Sequence, residues 1–314
     1  MIADIRVPRI ATIRLSGKIV VPPLPAPPRE PLTLRLMRIE PQFADESVAG
    51  LNAALEERTE ILFDLRGVRP GRYRIEISAE TGPPNWGYSG NLLIDAGDRD
   101  LEDLTVLLHR NVEFKGHIIW PDPAARLNEL RISLSGRSGG SGVQFRPEAD
   151  GTVRLFNLPE DDYTVTVGGL LGNAYVSDLR VGSRSIYADG VIQVTDRPPE
   201  ELQILVSSGG GSISGIAQTA TKQGAESFLF LVPEGARRRN PLFYRTARSD
   251  SVGAFQISGI APGDYTLFAF EGRPPEGAME NAEFIGPYAQ RSVRLTLREG
   301  NPSPGVTVQI VPKF

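Results

Sequence analysis

Ala261-Pro262-Gly263-Asp264-Tyr265-Thr266-Leu267 joins a turn to a strand within seven residues. Proline fixes the dihedral that enters the turn, glycine accepts a positive φ, and the tyrosine opens an alternating run with its ring on the buried side. The arrangement recurs at Arg69-Pro70-Gly71-Arg72-Tyr73 and, with carboxylates in place of the glycine, at Leu158-Pro159-Glu160-Asp161-Asp162-Tyr163. Further out, Gly17, Gly116 and Gly215 each follow a short apolar-alternating run and are spaced 99 residues apart. A single module of about 100 residues is therefore present three times.

The module reads as β-structure. Ile13-Arg14-Leu15, Tyr73 to Ile77, Leu130 to Leu134, Tyr163 to Val167, Val293 to Leu297 and Val306 to Ile310 alternate apolar and polar residues with period two, the pattern of half-buried strands. The chain's 33 Gly and 26 Pro fall mostly in short clusters between such runs, and short strands with frequent turns predict a sandwich. Residues 44–58 are the exception: Phe43, Val48, Leu51 and Leu55 lie near helical spacing, which predicts one or two helical turns there.

Aligning the copies gives a sandwich at 10–109, a second at 110–208 and a third at 209–314. Joints fall near His109-Arg110 and at Ser207 to Ser212, with Gly209-Gly210-Gly211 reading as a joint because no helix or Lys-Ser/Thr follows it to make a phosphate loop. The closing strands are expected at Leu104 to Leu108, Leu202 to Val206 and Val306 to Ile310. Residues 1–9 match a closing strand without its domain, since Ile5 and Val7 stand 99 residues before Leu104 and Val106, and read either as the remnant of a preceding repeat in a longer array or as an orphan strand that completes a sheet elsewhere. The predicted fold class is all-β: three tandem antiparallel sandwiches with an extra N-terminal strand.

The net charge of −4 divides as −3 over residues 1–109, −3 over 110–208 and +2 over 209–314, so no basic face points to nucleic acid. Thirty of the 34 basic residues are Arg. The absence of cysteine excludes disulfides and cysteine-based metal or redox chemistry. No apolar run approaches the ~18 residues of a membrane helix. The first residues also lack a charged-then-apolar leader, which is expected of a cytoplasmic chain or of a mature or excised form of an exported one.

Ser249-Asp250-Ser251-Val252-Gly253-Ala254-Phe255 followed by Pro262-Gly263-Asp264-Tyr265 resembles the D-x-x-G-x-F and P-G-x-Y pattern of carboxypeptidase regulatory-like domains, which are transthyretin-like or Ig-like sandwiches. The second copy matches through Asp150-Gly151-Thr152-Val153, and the first has no D-x-x-G ahead of Ile61. Asn281 to Phe284, Pro287-Tyr288 and Tyr175 to Gly182 resemble the tandem versions found in secreted acidobacterial proteins. The resemblance implies an extracellular or cell-surface location, an accessory role and no catalytic residues. Pro70, Gly71, Tyr73, Pro159, Tyr163, Gly253, Phe255, Pro262, Gly263 and Tyr265 are then structural turn residues.

The residues offer little to catalysis. His109 and His117 are the only histidines and lack a third metal ligand, no G-x-S-x-G elbow occurs, and Asp161-Asp162 reads as a turn. Asp95, Asp98, Asp100 and Asp103 carry enough carboxylates for Ca²⁺, although their spacing is not that of an EF-hand and Arg99 opposes a cation. Trp86, Tyr88 and Trp120 are candidates for a sugar-binding platform. No cofactor is expected.

Sandwiches have open edges, and residues 1–9 supply a spare strand. Ile2, Ile5, Val7 and Ile10 are therefore expected to form an assembly strand that pairs with a sheet edge. If that edge belongs to another copy, head-to-tail repetition gives a filament, a homopolymer. The expected function is that of a non-catalytic extracellular structural or interaction protein. The alternative is a carbohydrate- or protein-binding accessory module of a larger secreted or cell-surface enzyme or transporter.

Overall fold

The three spaced glycines lie on opening strands that each run parallel to a closing strand from the far end of the same repeat. Ile13–Val20 pairs with Leu101–Leu107 so that Gly17 faces Leu104, Val112–Ile119 pairs with Leu202–Ser207 so that Gly116 faces Leu202, and Gly211–Gln218 pairs with Pro302–Val311 so that Gly215 faces Val306. Parallel neighbours need a long crossover, and the chain between them builds the opposing sheet. The computed structural model describes residues 11–23, 31–40, 47–53, 59–82, 86–122, 126–138, 142–275 and 277–312. The expected assembly strand, with Ile2, Ile5, Val7 and Ile10, lies outside the described residues.

The chain divides into two compact units, one of Met1–Glu113 with Phe156–Glu160 and Val194–Pro198, the other of the remaining residues. In the first unit a three-stranded sheet, ordered Glu60–Val68, Ile13–Val20, Leu101–Leu107, accompanies a five-stranded one, ordered Ser47–Ala53, Leu32–Glu40, Gly71–Gly82, Trp86–Ala96, His109–Arg110. Alternation puts Leu15, Ile19, Ile61, Phe63 and Val106 from one sheet and Leu34, Leu36, Tyr73, Ile75 and Ile77 from the other into a single core. Each such side chain contributes about 1.5–3 kcal/mol on leaving water.

The helix predicted around residues 44–58 is replaced by the strand Ser47–Ala53, antiparallel to Leu32–Glu40 with Leu51 opposite Leu34, while 41–46 and 54–58 lie outside the described residues. Gly50 sits mid-segment, where a helix loses about 1 kcal/mol. The free edge of Leu32–Glu40 offers backbone partners that local periodicity does not register.

The middle repeat, most of which belongs to the second unit, forms sheets ordered Val143–Phe145, Arg131–Gly136, Asp161–Gly168, Val191–Val194 and Thr152–Leu158, Val112–Ile119, Leu202–Ser207, Tyr175–Val181, Arg184–Ser185. The last repeat has seven strands joined through Pro302–Val311, which pairs with Gly211–Gln218 and then, at Ile310 and Val311, with Ala269 and Phe270. Gly263–Phe270 is buried on both faces. Tyr265, Leu267 and Ala269 enter the sandwich core, and Phe268 and Phe270 meet Ala278, Met279, Phe284, Ile285 and Tyr288 from the segment containing the one-turn helix Ala282–Ile285. This second layer explains the unbroken apolar run Leu267-Phe268-Ala269-Phe270.

Within this unit the last two repeats are held together by specific contacts. Asn240, with no exposed surface, donates from Nδ2 to Tyr187 O over 2.8 Å and accepts from the Leu242 amide at 3.0 Å. The Tyr187 and Phe243 rings lie 4.8 Å apart, and the Arg237 guanidinium stacks 4.6 Å from the Phe243 centroid. Gly210 N donates to Asn173 O, and Glu299 accepts from Ser207 Oγ and the Tyr175 hydroxyl. Gly209 and Gly210 take part in these contacts, Gly209 O accepting from the Gly300 amide.

Candidate functional site

The three closing strands differ in one respect that bears on function. Leu202–Ser207 lies between Val112–Ile119 and Tyr175–Val181 along its length, whereas Pro302–Val311 pairs with Gly211–Gln218 over Pro302 to Gln309 and with Gly263–Phe270 only at Ile310 and Val311. Leu101–Leu107 pairs with Ile13–Val20 alone and ends its sheet among the described residues. An open edge presents a row of backbone donors and acceptors to any extended chain.

Local geometry shapes this edge. The register slips by one residue between Leu15/Leu101 and Gly17/Leu104, and Asp103 takes up the extra residue at φ +57°. The last repeat slips at the same place, with Gly305 at φ +74° immediately before Val306. Such a bulge twists the strand, and aspartate is among the few residues with side chains that tolerate the left-handed region. Glu102, Asp103, Thr105 and Leu107 are exposed along the strand, giving it an acidic character, and the large apolar surface of Leu107 is 51 % exposed.

The outer face of the same sheet carries paired charges. Arg14 Nε lies 2.7 Å from Asp64 and Lys18 Nζ lies 2.7 Å from Glu60. Hydrogen bonds from Arg14 and Arg66 hold the Asp64 carboxyl below its ordinary range. The shallow concavity lined by Arg14, Lys18, Leu62 and Asp64 leaves those charges with each other rather than for a ligand.

The predicted calcium set does not assemble. Asp100 accepts from the Arg14 amide at 2.8 Å, Asp103 is the bulge residue, Asp95 and Asp98 are exposed, and no group of three or more potential ligands exists among the described residues. Chain geometry gives each carboxylate a separate task. His109 Nδ1 stands 3.2 Å from Glu160 Oε1, whereas His117 adjoins the Asp150-Gly151 turn, so the histidines serve different neighbours.

Of the residues expected to make a sugar platform, Tyr88 is withdrawn from the surface. Tyr88 is 3 % exposed and belongs to the sandwich core, because its place on Trp86–Ala96 points it inward. Trp120, half-buried, donates from Nε1 to Ser208 Oγ at 2.9 Å, and Ser208 in turn donates to Asp122. The side chain of Trp86 lies outside the described residues.

The turn residues stand as follows. The Tyr73 hydroxyl donates to Arg69 O at 2.9 Å and the Tyr265 hydroxyl to Ala261 O at 2.8 Å, each reaching back four residues. Tyr163 is buried like its counterparts, Pro159 and Pro262 are half-buried, and Pro70 is exposed. Gly71 and Gly263 take φ of +155° and +149°. Asp161 occupies the corresponding place in the middle repeat and ties the turn by accepting from Ser138 and Asp162. Gly253, at φ +81°, closes a loop in which Asp250 Oδ1 accepts from Val252 N and Ala254 N, and Phe255 is buried. Six residues ahead of each tyrosine stand Gly67, Asn157 and Gly259, all with positive φ, a recurrence that aligning the copies on tyrosine would have exposed.

These features define a class: an all-β chain of sandwich repeats whose repeated side chains close turns and cores. No known protein-family model matches the chain. Among solved structures it is similar to the Bacillus anthracis TIE protein, at 11 % identity and a TM-score of 0.25 over 95 % of this chain and 50 % of that one, so the chain spans half the length of that protein. It is also similar to a streptococcal ancillary pilin (13 % identity, TM-score 0.28, 95 % and 98 % covered) and to BcpA, the major pilin subunit of Bacillus cereus (10 %, 0.23, 94 % and 99 %). Similarity at this level assigns neither family nor function, and the sandwich class rests on the sheets themselves. Among the described residues no helix is long and apolar enough to cross a membrane.

Proposed function

We propose that residues 10–109, 110–208 and 209–314 are three sandwich domains of a non-catalytic structural protein of the cell exterior, and that copies join by strand addition through residues 2–10. The observation that carries this reading is the open edge at Leu101–Leu107, where the middle repeat's closing strand, Leu202–Ser207, has a neighbour on each side. The segment Ile2-Ala3-Asp4-Ile5-Arg6-Val7-Pro8-Arg9-Ile10 alternates polar and apolar over Asp4 to Val7 and carries Arg6 and Arg9, which complement Glu102 and Asp103 on the edge. A donor strand from a second copy adds main-chain hydrogen bonds without remodelling the acceptor, and repetition of that contact gives a filament.

The test uses the intact chain, a chain lacking residues 1–9, and a synthetic peptide of residues 1–10. Polymers of the intact chain in negative-stain images, their loss on deletion, and peptide binding to the shortened chain that Glu102→Lys weakens would support the reading. A monomeric intact chain together with no peptide binding would overturn it.

A further inference from the structure

Arg245 is a half-buried cation without a carboxylate partner among the described residues. Its Nε and Nη2 donate to Gly259 O at 3.1 and 2.7 Å, and its Nη1 donates to Leu242 O and Tyr244 O at 2.8 and 2.9 Å. Burial lowers its pKa, and the only groups that oppose this are the phenols of Tyr265 and Tyr187. Four of five guanidinium protons are thereby used, all on neutral oxygens, and no carboxylate among the described residues pairs with the charge. A desolvated cation in this position favours an anion that can reach it.

Arg245 lines a cavity of about 410 Å³ inside the second unit, between the Thr166–Val176 stretch and residues Pro241, Leu242, Ser258 and Gly259. Val167, Leu170, Leu171, Val176 and Leu242 give it apolar side chains, with Thr166, Ser258 and the glycine backbone between them. The turn at its mouth has Gly169 and Gly172 at φ +87° and +60°. Among the described residues the amides of Leu170, Leu171 and Gly172 donate to no protein acceptor. Leu171, at the rim, is 66 % exposed.

We propose that this cavity binds a small organic carboxylate with an apolar body, the carboxylate on Arg245 and the turn amides, the hydrocarbon against the leucines and valines. A purely structural Arg245, clamping the carbonyls of two turns, would leave both the unpaired charge and the apolar walls without a purpose. This inference goes beyond the assembly role and does not depend on the edge at Leu101–Leu107.

Hexanoate, hexanamide and inorganic phosphate are titrated into the intact protein, following the amide resonances of Gly169, Gly172 and Gly259. Saturable shifts with hexanoate and none with hexanamide or phosphate are expected. Arg245→Met is expected to weaken hexanoate binding about tenfold or more, the loss of a charge-assisted hydrogen bond. Ser258→Asp, at an exposed strand position on the cavity wall, places an internal carboxylate beside the guanidinium and is expected to abolish binding in a folded chain even if Arg245→Met does not fold. Absence of hexanoate shifts, equal binding of hexanamide, tighter binding of phosphate, or undiminished binding by Ser258→Asp would each overturn the proposal.

Discussion

Gly215 stands opposite Val306 across a parallel strand pair, and a Cβ on Gly215 would fall on the Val306 carbonyl oxygen. Gly17 meets Leu104 in the same way. At these two positions the backbones approach too closely for any side chain, which is the physical reason for glycine there. At Gly116 the partner carbonyl, Leu202 O, stands farther off at 3.2 Å, and the nearest atom to an added Cβ is a side-chain one, Val153 Cγ1 at 2.7 Å. Gly17→Ala and Gly215→Ala are expected to cost at least the ~1–3 kcal/mol of an overpacked core, and Gly116→Ala less. Urea denaturation of the three variants measures the order, and an equal cost at all three would contradict the backbone explanation.

The bulge supplies a second comparison. Gly305, at φ +74°, has open space around an added Cβ, so Gly305→Ala isolates the left-handed conformational cost of about 1–2 kcal/mol. Asp103→Gly, at φ +57°, removes that cost at the matching position and is expected to be neutral or to stabilise by a few tenths of a kcal/mol. Paired thermal melts of the two variants, moving in opposite directions, check this.

Tyr265 links the corner hydrogen bond to pH. Burial pushes its phenol from 10.0 up to about 12. The folded chain holds this proton more tightly than the unfolded chain, so the contribution is complete below pH ~10 and is lost as pH rises towards about 12. The shift corresponds to about 2–3 kcal/mol. Tyr265→Phe is expected to lose about 1 kcal/mol at neutral pH with the bond to Ala261 O, and to fall less steeply between pH ~10 and ~12. Circular-dichroism unfolding of both chains across that range tests the slope.

Asn240 secures the last repeat to the middle one. Asn240→Ala strands the Tyr187 carbonyl and the Leu242 amide in a buried site, which costs about 1–3 kcal/mol each where water cannot enter. Hydrogen exchange is expected to quicken at residues 187–190 and 240–243 while the distant strand Leu32–Glu40 keeps its protection. Uniform quickening across the whole chain would contradict a local role.

Several features were legible in the chain itself because they are local. Strand periodicity and the Pro-Gly-x-Tyr turns depend on dihedral preferences and on which face of a strand is apolar, and residues near in sequence encode both; the glycine repeat shows in the sequence as spacing alone, its cause being a distant strand. The strand at Ser47–Ala53 was not legible, since its periodicity competes with pairing to a strand about fifteen residues earlier. Tyr88 was misread because loop-like Gly and Pro around it masked its inward register. Arg245 carried no signal at all: a cation's partners come from residues 242, 244 and 259, and only folding brings the middle repeat's turn over it.

The amino-acid order alone thus determined a thrice-copied β-module and the residues that turn its corners, because those properties are set within a few bonds of each residue. Tertiary structure alone decided which closing strand is left at an edge, which aromatic rings are buried, and where a charge lacks its counterpart. Each of these depends on atoms brought together from distant parts of the chain, and a strand's own residues do not specify what lies beside it.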